Sequence, residues 1–220
     1  MTGSLKGKKV AITSGPTRAP IDAVRYISNR STGALGVAIA EQCLRRGADV
    51  TFFHGVGSLL PPPAAGLEIV EIETVDDLVS ALRKKLPEGR YDVFFHAMAV
   101  LDYVPEKPLK DKIPSGQDVL SVRLVRTAKV IHLIKKLSPG TILVGFKLEV
   151  AVPKHVLAER ARAMMKPSKA DFVLANDLRT VERGRHTAYL LNAEGTFRGP
   201  LRGKKTIAAA LIEAVTEGLH

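Results

Sequence analysis

The sequence predicts an α/β protein with a Rossmann-like open, mainly parallel sheet flanked by helices, and an added loop-and-strand excursion near residues 104–125. Two observations carry that expectation. Short apolar runs alternate with helical periodicity through the first hundred residues, the rhythm of βαβ units. The first run, Val10–Thr13, also opens into a long polar stretch, Gly15–Gly36, before a helical pattern begins near Ala34. Strand, glycine-bearing loop and helix in that order are how open α/β sheets build anion sites. At 220 residues the chain reads as one domain, 1–220, large enough to bury a proper core.

After the Val10–Thr13 strand, the spacing predicts a helix over Ala34–Arg46 that stops at Gly47. Asp49–His54 reads as a strand, Gly55–Gly66 as a loop containing three consecutive prolines, and Leu67–Ile72 as a third strand. A helix follows over Val75–Leu86, then a strand over Tyr91–Phe95. The rhythm then breaks. Val104–Gly116 is a Pro- and Lys-rich loop, and Val119–Val125 alternates like a strand. Helix, strand, helix and strand are expected at Val130–Leu137, Thr141–Phe146, Val156–Met165 and Asp171–Ala175. His186–Asn192 runs into a hairpin turn at Glu194-Gly195, and Lys204–Leu219 closes the chain as a helix.

Composition narrows the function. No apolar run approaches the roughly 20 residues of a membrane span, so no membrane partner is expected. The N-terminus lacks an apolar leader, and the single cysteine, Cys43, excludes an internal disulfide framework; a reducing cytoplasm is expected. The net charge of +11 suits an acidic partner, but with no Trp and few aromatics a small polyanion fits better than nucleic acid. Cys43 lies on the apolar face of a helix as a buried hydrophobe. Six histidines show no paired metal-ligand spacing. His96 ends an apolar strand, where a satisfied structural role is expected.

Two nucleotide readings fail on their residues. A dinucleotide fingerprint needs G-x-G-x-x-G after the first strand and an acid ending the second, whereas Pro16 follows Gly15 and His54-Gly55 ends the second. Tyr103 and Lys107 have the spacing of a reductase pair, but Pro105 and Pro108 forbid the helix that pair needs. The loop itself offers Arg18, Arg25, Asn29 and the hydroxyls of Ser14, Thr17, Ser31 and Thr32 around its glycines. Other strand ends add Ala97–Tyr103, the lysines Lys107, Lys110 and Lys112, Gly145–Glu149, and Ala175-Asn176-Asp177 preceded by Lys166 and Lys169.

In combination these segments resemble the phosphopantothenoylcysteine synthetase family. The resemblance rests on Thr13–Gly33, Ala97-Met-Ala-Val-Leu-Asp-Tyr103, Lys112-Ile-Pro-Ser-Gly116, Val144–Glu149 and Asp171–Asp177, which occur in family order over nearly the whole chain. It implies ligation of 4′-phosphopantothenate to L-cysteine through an acyl-nucleotide, with CTP or ATP as co-substrate and Mg²⁺. It also implies a homodimer, with the Pro114–Val125 region as a contact, and a separate flavin-dependent decarboxylase acting next, since the chain has no room for one.

By the same resemblance Asn29, Arg25 and Lys112 are the expected catalytic residues. Read alone, Asn29 is equally a helix-entry cap and Lys112 a solvated loop charge. Gly15, Thr17, Arg18, Ser31 and Gly33 are expected to bind the phosphorylated substrate. Met98, Ala99, Asp102, Lys112, Phe146, Lys166 and Lys169 are expected around the nucleotide. Met98 replaces a more usual Ala, and the segment after Glu149 lacks the usual Thr and acid. A non-catalytic nucleotide- or phosphate-binding protein of the same fold, and an NAD(P)-linked reductase, are the alternatives. No metal ligand is identified.

Overall fold

The structure is a computed structural model that describes residues 4–116, 118–182 and 185–219. The leader reading of Met1–Gly3 and Gln117 of the predicted excursion therefore lie outside the described residues. Six strands form the parallel part of the main sheet: β1 (Lys9–Ser14), β4 (Asp49–Gly55), β5 (Leu67–Ile72), β6 (Val93–His96), β9 (Ile142–Glu149) and β10 (Phe172–Asp177). Two antiparallel strands, β11 (Thr187–Asn192) and β12 (Phe197–Arg202), extend one edge. The sheet order is β12-β11-β10-β9-β6-β1-β4-β5. Numbered by appearance, the six parallel strands run 3-2-1-4-5-6, the doubly wound arrangement, with its switch point between β1 and β6.

Neighbouring residues on each central strand face opposite layers. Phe53, Phe94, Leu143 and Val173 pack into one core with α2 (Val75–Gly89), α3 (Ile131–Leu137) and α4 (Lys154–Ser168). Phe52, Phe95, Val144 and Leu174 pack into the other, with α1 (Ala34–Arg45) and α6 (Lys204–Glu217). Cys43 belongs to the second core, and burial pushes its thiol up to about 12. Among the described residues no helix is long and apolar enough to cross a membrane.

Three local expectations need correction. The opening loop is not irregular throughout: Arg18–Pro20 (β2) and Tyr26–Ser28 (β3) pair antiparallel within it. Both strands are only three residues long, and β2 ends in Pro20, which hid them. The predicted strand over Val119–Val125 shrinks to Leu124–Arg126 (β8), paired with Tyr103–Pro105 (β7), which itself begins the segment read as loop. Val119 is 73% and Leu120 47% exposed, so the apolar alternation there does not join the core of the described residues. A short helix, α5 (Leu178–Glu182), follows β10 where only a strand end was expected.

Candidate functional site

The C-terminal ends of β1, β6, β9 and β10 surround a cavity of ≈ 460 Å³. Its walls include Arg30–Gly36 from the loop and first turn of α1, Ala97–Ala99 beyond β6, and Phe146 and Leu148 of β9. Asn176, Leu178, Val181, His186 and Lys204 complete it. Among the described residues its ionic lining residues are Arg30 and Lys204, both cationic.

The glycine chemistry of the loop explains how α1 comes so close. Gly33 is the N-cap at φ 78°, a left-handed conformation that favours glycine. A Cβ on Gly36 would lie 2.2 Å from the Ser14 hydroxyl, which itself donates to the Gly33 carbonyl at 3.0 Å. Gly33 has no side chain to cap α1, where only the Thr32 hydroxyl accepts a first-turn N–H, that of Ala34 at 3.4 Å, and among the described residues no side chain caps α6, whose N-cap is Gly203. Two helix N-termini thus border the cavity, each bringing partial positive charge from first-turn N–H groups.

The loop is stitched to the segment after β6. Ala97 N–H donates to the Thr13 carbonyl (3.0 Å), Ala99 N–H to the Gly15 carbonyl (2.8 Å), and Thr17 N–H to the Ala99 carbonyl (3.3 Å). The Thr17 hydroxyl accepts from Leu101 N–H at 3.0 Å. Asn29 Nδ2 donates to the carbonyls of Ala99 and Val100, both at 3.2 Å. Asn29 therefore sits at the seam between the two loops rather than capping α1, whose cap is Gly33.

Of the expected site residues, Ser31, Gly33, Met98, Ala99 and Phe146 line the cavity, with Asn29 beside Arg30 at its margin. Thr17 is fully buried and its polar groups are spent within the chain, while Gly15 contributes its carbonyl to the seam. The Arg18 guanidinium lies 4.4 Å over the Tyr26 ring. Arg25 pairs with Asp22, and Asp102 pairs with Lys129 at 2.5 Å. Lys112 is exposed on the neighbouring segment 106–113. Lys166 and Lys169 are not brought to this cavity. They line a separate one of ≈ 520 Å³ beside Asp171 and Asn192–Gly195, at the N-terminal edge of the sheet. The reason is topological: α4 starts where β9 ends and runs back beneath the sheet.

Sequence reasoning missed Arg30, Gly36, His186 and Lys204 and left Asn176 unassigned. Gly36 was the one with a signal, as the last glycine of the loop. His186 read only as a strand start and Lys204 as a helix start. In the structure Asn176 Nδ2 donates to the Leu174 carbonyl (3.4 Å), leaving Oδ1 to accept from His186 Nε2 (2.9 Å). That assigns the ring proton to Nε2 and makes Nδ1 a buried acceptor with no hydrogen-bond partner among the described residues. Burial, with Lys204 nearby, pulls the His186 pKa down to about 4, so the ring is neutral at pH 7. His96 is likewise pulled down to about 4 by burial, and its Nδ1 lies 2.8 Å from the Thr13 hydroxyl, as a structural histidine should.

Asp22 is also new. Its side chain is completely buried and accepts from Val24 N–H (2.8 Å), Arg25 N–H (2.7 Å), Ile113 N–H (3.1 Å) and Arg25 Nη1 (2.5 Å). Burial pushes this carboxyl up, but the three backbone donors and the guanidinium outweigh it and hold it well below the usual carboxylate range. No group of three or more His, Cys, Asp or Glu side chains forms a metal cage among the described residues. No all-protein cage for Mg²⁺ is therefore found among the described residues.

The profile of the DNA/pantothenate metabolism flavoprotein C-terminal domain family matches residues 5–219. The chain belongs to that family. One relative is the bifunctional coenzyme A biosynthesis protein CoaBC of Thermococcus kodakarensis, 35% identical over 216 residues. The match takes in 98% of this chain and 53% of that protein, so the chain spans about half the length of the curated relatives it matches. A solved structure from Streptococcus pneumoniae, described as the DNA/pantothenate metabolism flavoprotein, superposes with a TM-score of 0.88 at 31% identity. That comparison covers 97% of this chain and 100% of the other. The C-terminal domain of a CoaBC protein gives a TM-score of 0.79 at 27% identity, covering 97% and 96%. The DNA/pantothenate family fold is therefore the one found here, an open and mostly parallel sheet between helical layers.

Proposed function

We propose that the chain catalyses nucleotide-dependent joining of 4′-phosphopantothenate to L-cysteine, the ligase step of coenzyme A biosynthesis. The observation that carries this reading is the cavity at the switch point, bordered by two glycine-capped helix N-termini and by Arg30 and Lys204, with Asn29 at its margin. Family membership over residues 5–219 supports it. Fixed N–H donors and cationic side chains stabilise a polyphosphate, and charge developing upon it, without reorganising during reaction.

In the first step a carboxylate oxygen of phosphopantothenate attacks the α-phosphorus of CTP or ATP, and pyrophosphate leaves. In the second, the cysteine amine attacks the acyl carbon and the nucleoside monophosphate leaves, with loss of the amine proton. Lys112 would offset charge at the reacting phosphate. Asn29, held against the Ala99 and Val100 carbonyls, would present its amide beside the acyl group. Phe146 and the Met98-Ala99 backbone would flank the base. With Mg²⁺ bound alongside the nucleotide, neutralisation of phosphate charge would be supplied as well. A separate flavin-dependent decarboxylase would consume the product.

We also infer that a second copy covers the hairpins β2–β3 and β7–β8, which pack on each other and expose Tyr26, Tyr103, Leu109 and Leu124. Light scattering on the purified protein checks this, with a dimer mass expected.

The ligase reading is tested by purified protein with phosphopantothenate, cysteine, Mg²⁺ and each of the four nucleoside triphosphates in turn. Pyrophosphate release that depends on phosphopantothenate is expected with CTP or ATP. Release with none of the four overturns the reading and favours a binding protein.

A further inference from the structure

Between the tip of the β2–β3 hairpin and the segment bearing Lys112 lies a polar junction that neither nucleotide nor substrate chemistry explains. Leu109 N–H donates to the Ile21 carbonyl at 3.0 Å. Ile113 N–H donates to Asp22 Oδ2 at 3.1 Å, and Arg25 Nη1 donates to both Asp22 Oδ2 (2.5 Å) and the Ile113 carbonyl (3.2 Å). Asp22 Oδ1 meanwhile accepts from Val24 and Arg25 N–H, fixing the hairpin turn. The segment is thus held at residue 109 and again at residue 113, immediately beside Lys112, by a carboxylate with no exposed surface.

We propose that Asp22 and Arg25 form a clasp that sets the position of Lys112, making Asp22 a positioning residue and giving Arg25 a second task besides any contact with substrate. The chemistry requires a carboxylate. Residues 106–112 are exposed and make few other attachments, so the two hydrogen bonds at Ile113 decide where the lysine stands. An asparagine at 22 could keep Oδ1 on the turn. Its amide would then face Arg25 Nη1 and Ile113 N–H, both donors, with a donor of its own. Asp22→Asn therefore opens the junction while preserving the turn and almost all of the volume.

The activity arm rests on the ligase reading, and the structural arm does not. In the full chain, Asp22→Asn is compared with wild type for trypsin cleavage after Lys110 and Lys112, checked for folding by circular dichroism. Cleavage about tenfold faster is expected, because nicking follows the population of the opened segment. In pyrophosphate release, kcat is expected to fall at least about tenfold with KM for the triphosphate little changed, the signature of a displaced group. Lys112→Ala should then cost much less in the Asp22→Asn background than in wild type. Unchanged cleavage in folded Asp22→Asn overturns the clasp whether or not the protein proves to be a ligase. An undiminished Lys112→Ala effect overturns the positioning role. If wild type releases no pyrophosphate, only the ligase reading fails, and cleavage still decides the clasp. If Asp22→Asn does not fold, hydrogen exchange at Ile113 in wild type decides: protection of about a hundredfold supports the clasp, and exchange at the unstructured rate overturns it.

Discussion

The two edges of the sheet carry cavities of comparable size, ≈ 460 Å³ at the C-terminal edge and ≈ 520 Å³ at the N-terminal edge, and both contain basic residues. At the first, Arg30 and Lys204 stand beside the glycine-capped N-termini of α1 and α6. At the second, Arg162, Lys166 and Lys169 stand beside the C-terminus of α4, with Asp171 and Glu194 in the same wall. Lysine count is therefore a poor guide to an anion site. Helix polarity and nearby carboxylates decide it, because the same lysine charge adds to N–H dipoles at one edge and is offset by carbonyl dipoles and acids at the other.

Substitutions at the two edges can break this comparison. The largest effect is expected from Gly36→Ala, whose Cβ would meet both the Ser14 hydroxyl and its Cβ, at 2.2 and 2.6 Å. Pushing α1 off the end of β1 should cost about 1–3 kcal/mol in urea unfolding and abolish triphosphate binding. His186→Phe should come next. It keeps a ring but leaves Asn176 Oδ1 without its donor, at a cost of about 1–3 kcal/mol, and should weaken triphosphate binding in the same protein. Unchanged binding would remove His186 from the site.

A pH series sharpens the contrast between buried and exposed groups. His96 and His186 are both lowered to about 4 in the fold, against an unfolded value near 6.5. The unfolded chain therefore binds more protons than the folded one between those values, and stability falls as pH drops from about 6.5 toward 4. The urea midpoint should decline across that window. His96→Gln, which removes one of the two rings, should flatten the decline.

The parallel sheet was legible because its strands are buried on both faces and its helices carry clean periodicity, as Phe52-Phe53 and the Val75–Leu86 pattern illustrate. The hairpin β2–β3 was not, since three-residue strands give no periodicity to read. Ser31, Gly33, Met98, Ala99 and Phe146 could be placed because strand ends and motifs point to one edge. Lys166 and Lys169 could not be placed, because sequence proximity to Asp171–Asp177 does not say at which end of the strand a residue lies. They precede β10 and so stand at its N-terminal end, about the length of the strand from Asn176. Asp22 and His186 were invisible because their importance lies in partners 91 and 10 residues away along the chain.

The central claim is that the C-terminal edge, not the lysine-bearing opposite edge, receives the triphosphate. Calorimetric titration of CTP and ATP into wild type, Lys204→Glu and the double variant Lys166→Glu/Lys169→Glu tests it directly. An affinity loss of about tenfold or more is expected for Lys204→Glu, and a change within about twofold for the double variant despite its larger charge reversal. Retained binding in Lys204→Glu with lost binding in the double variant would contradict it.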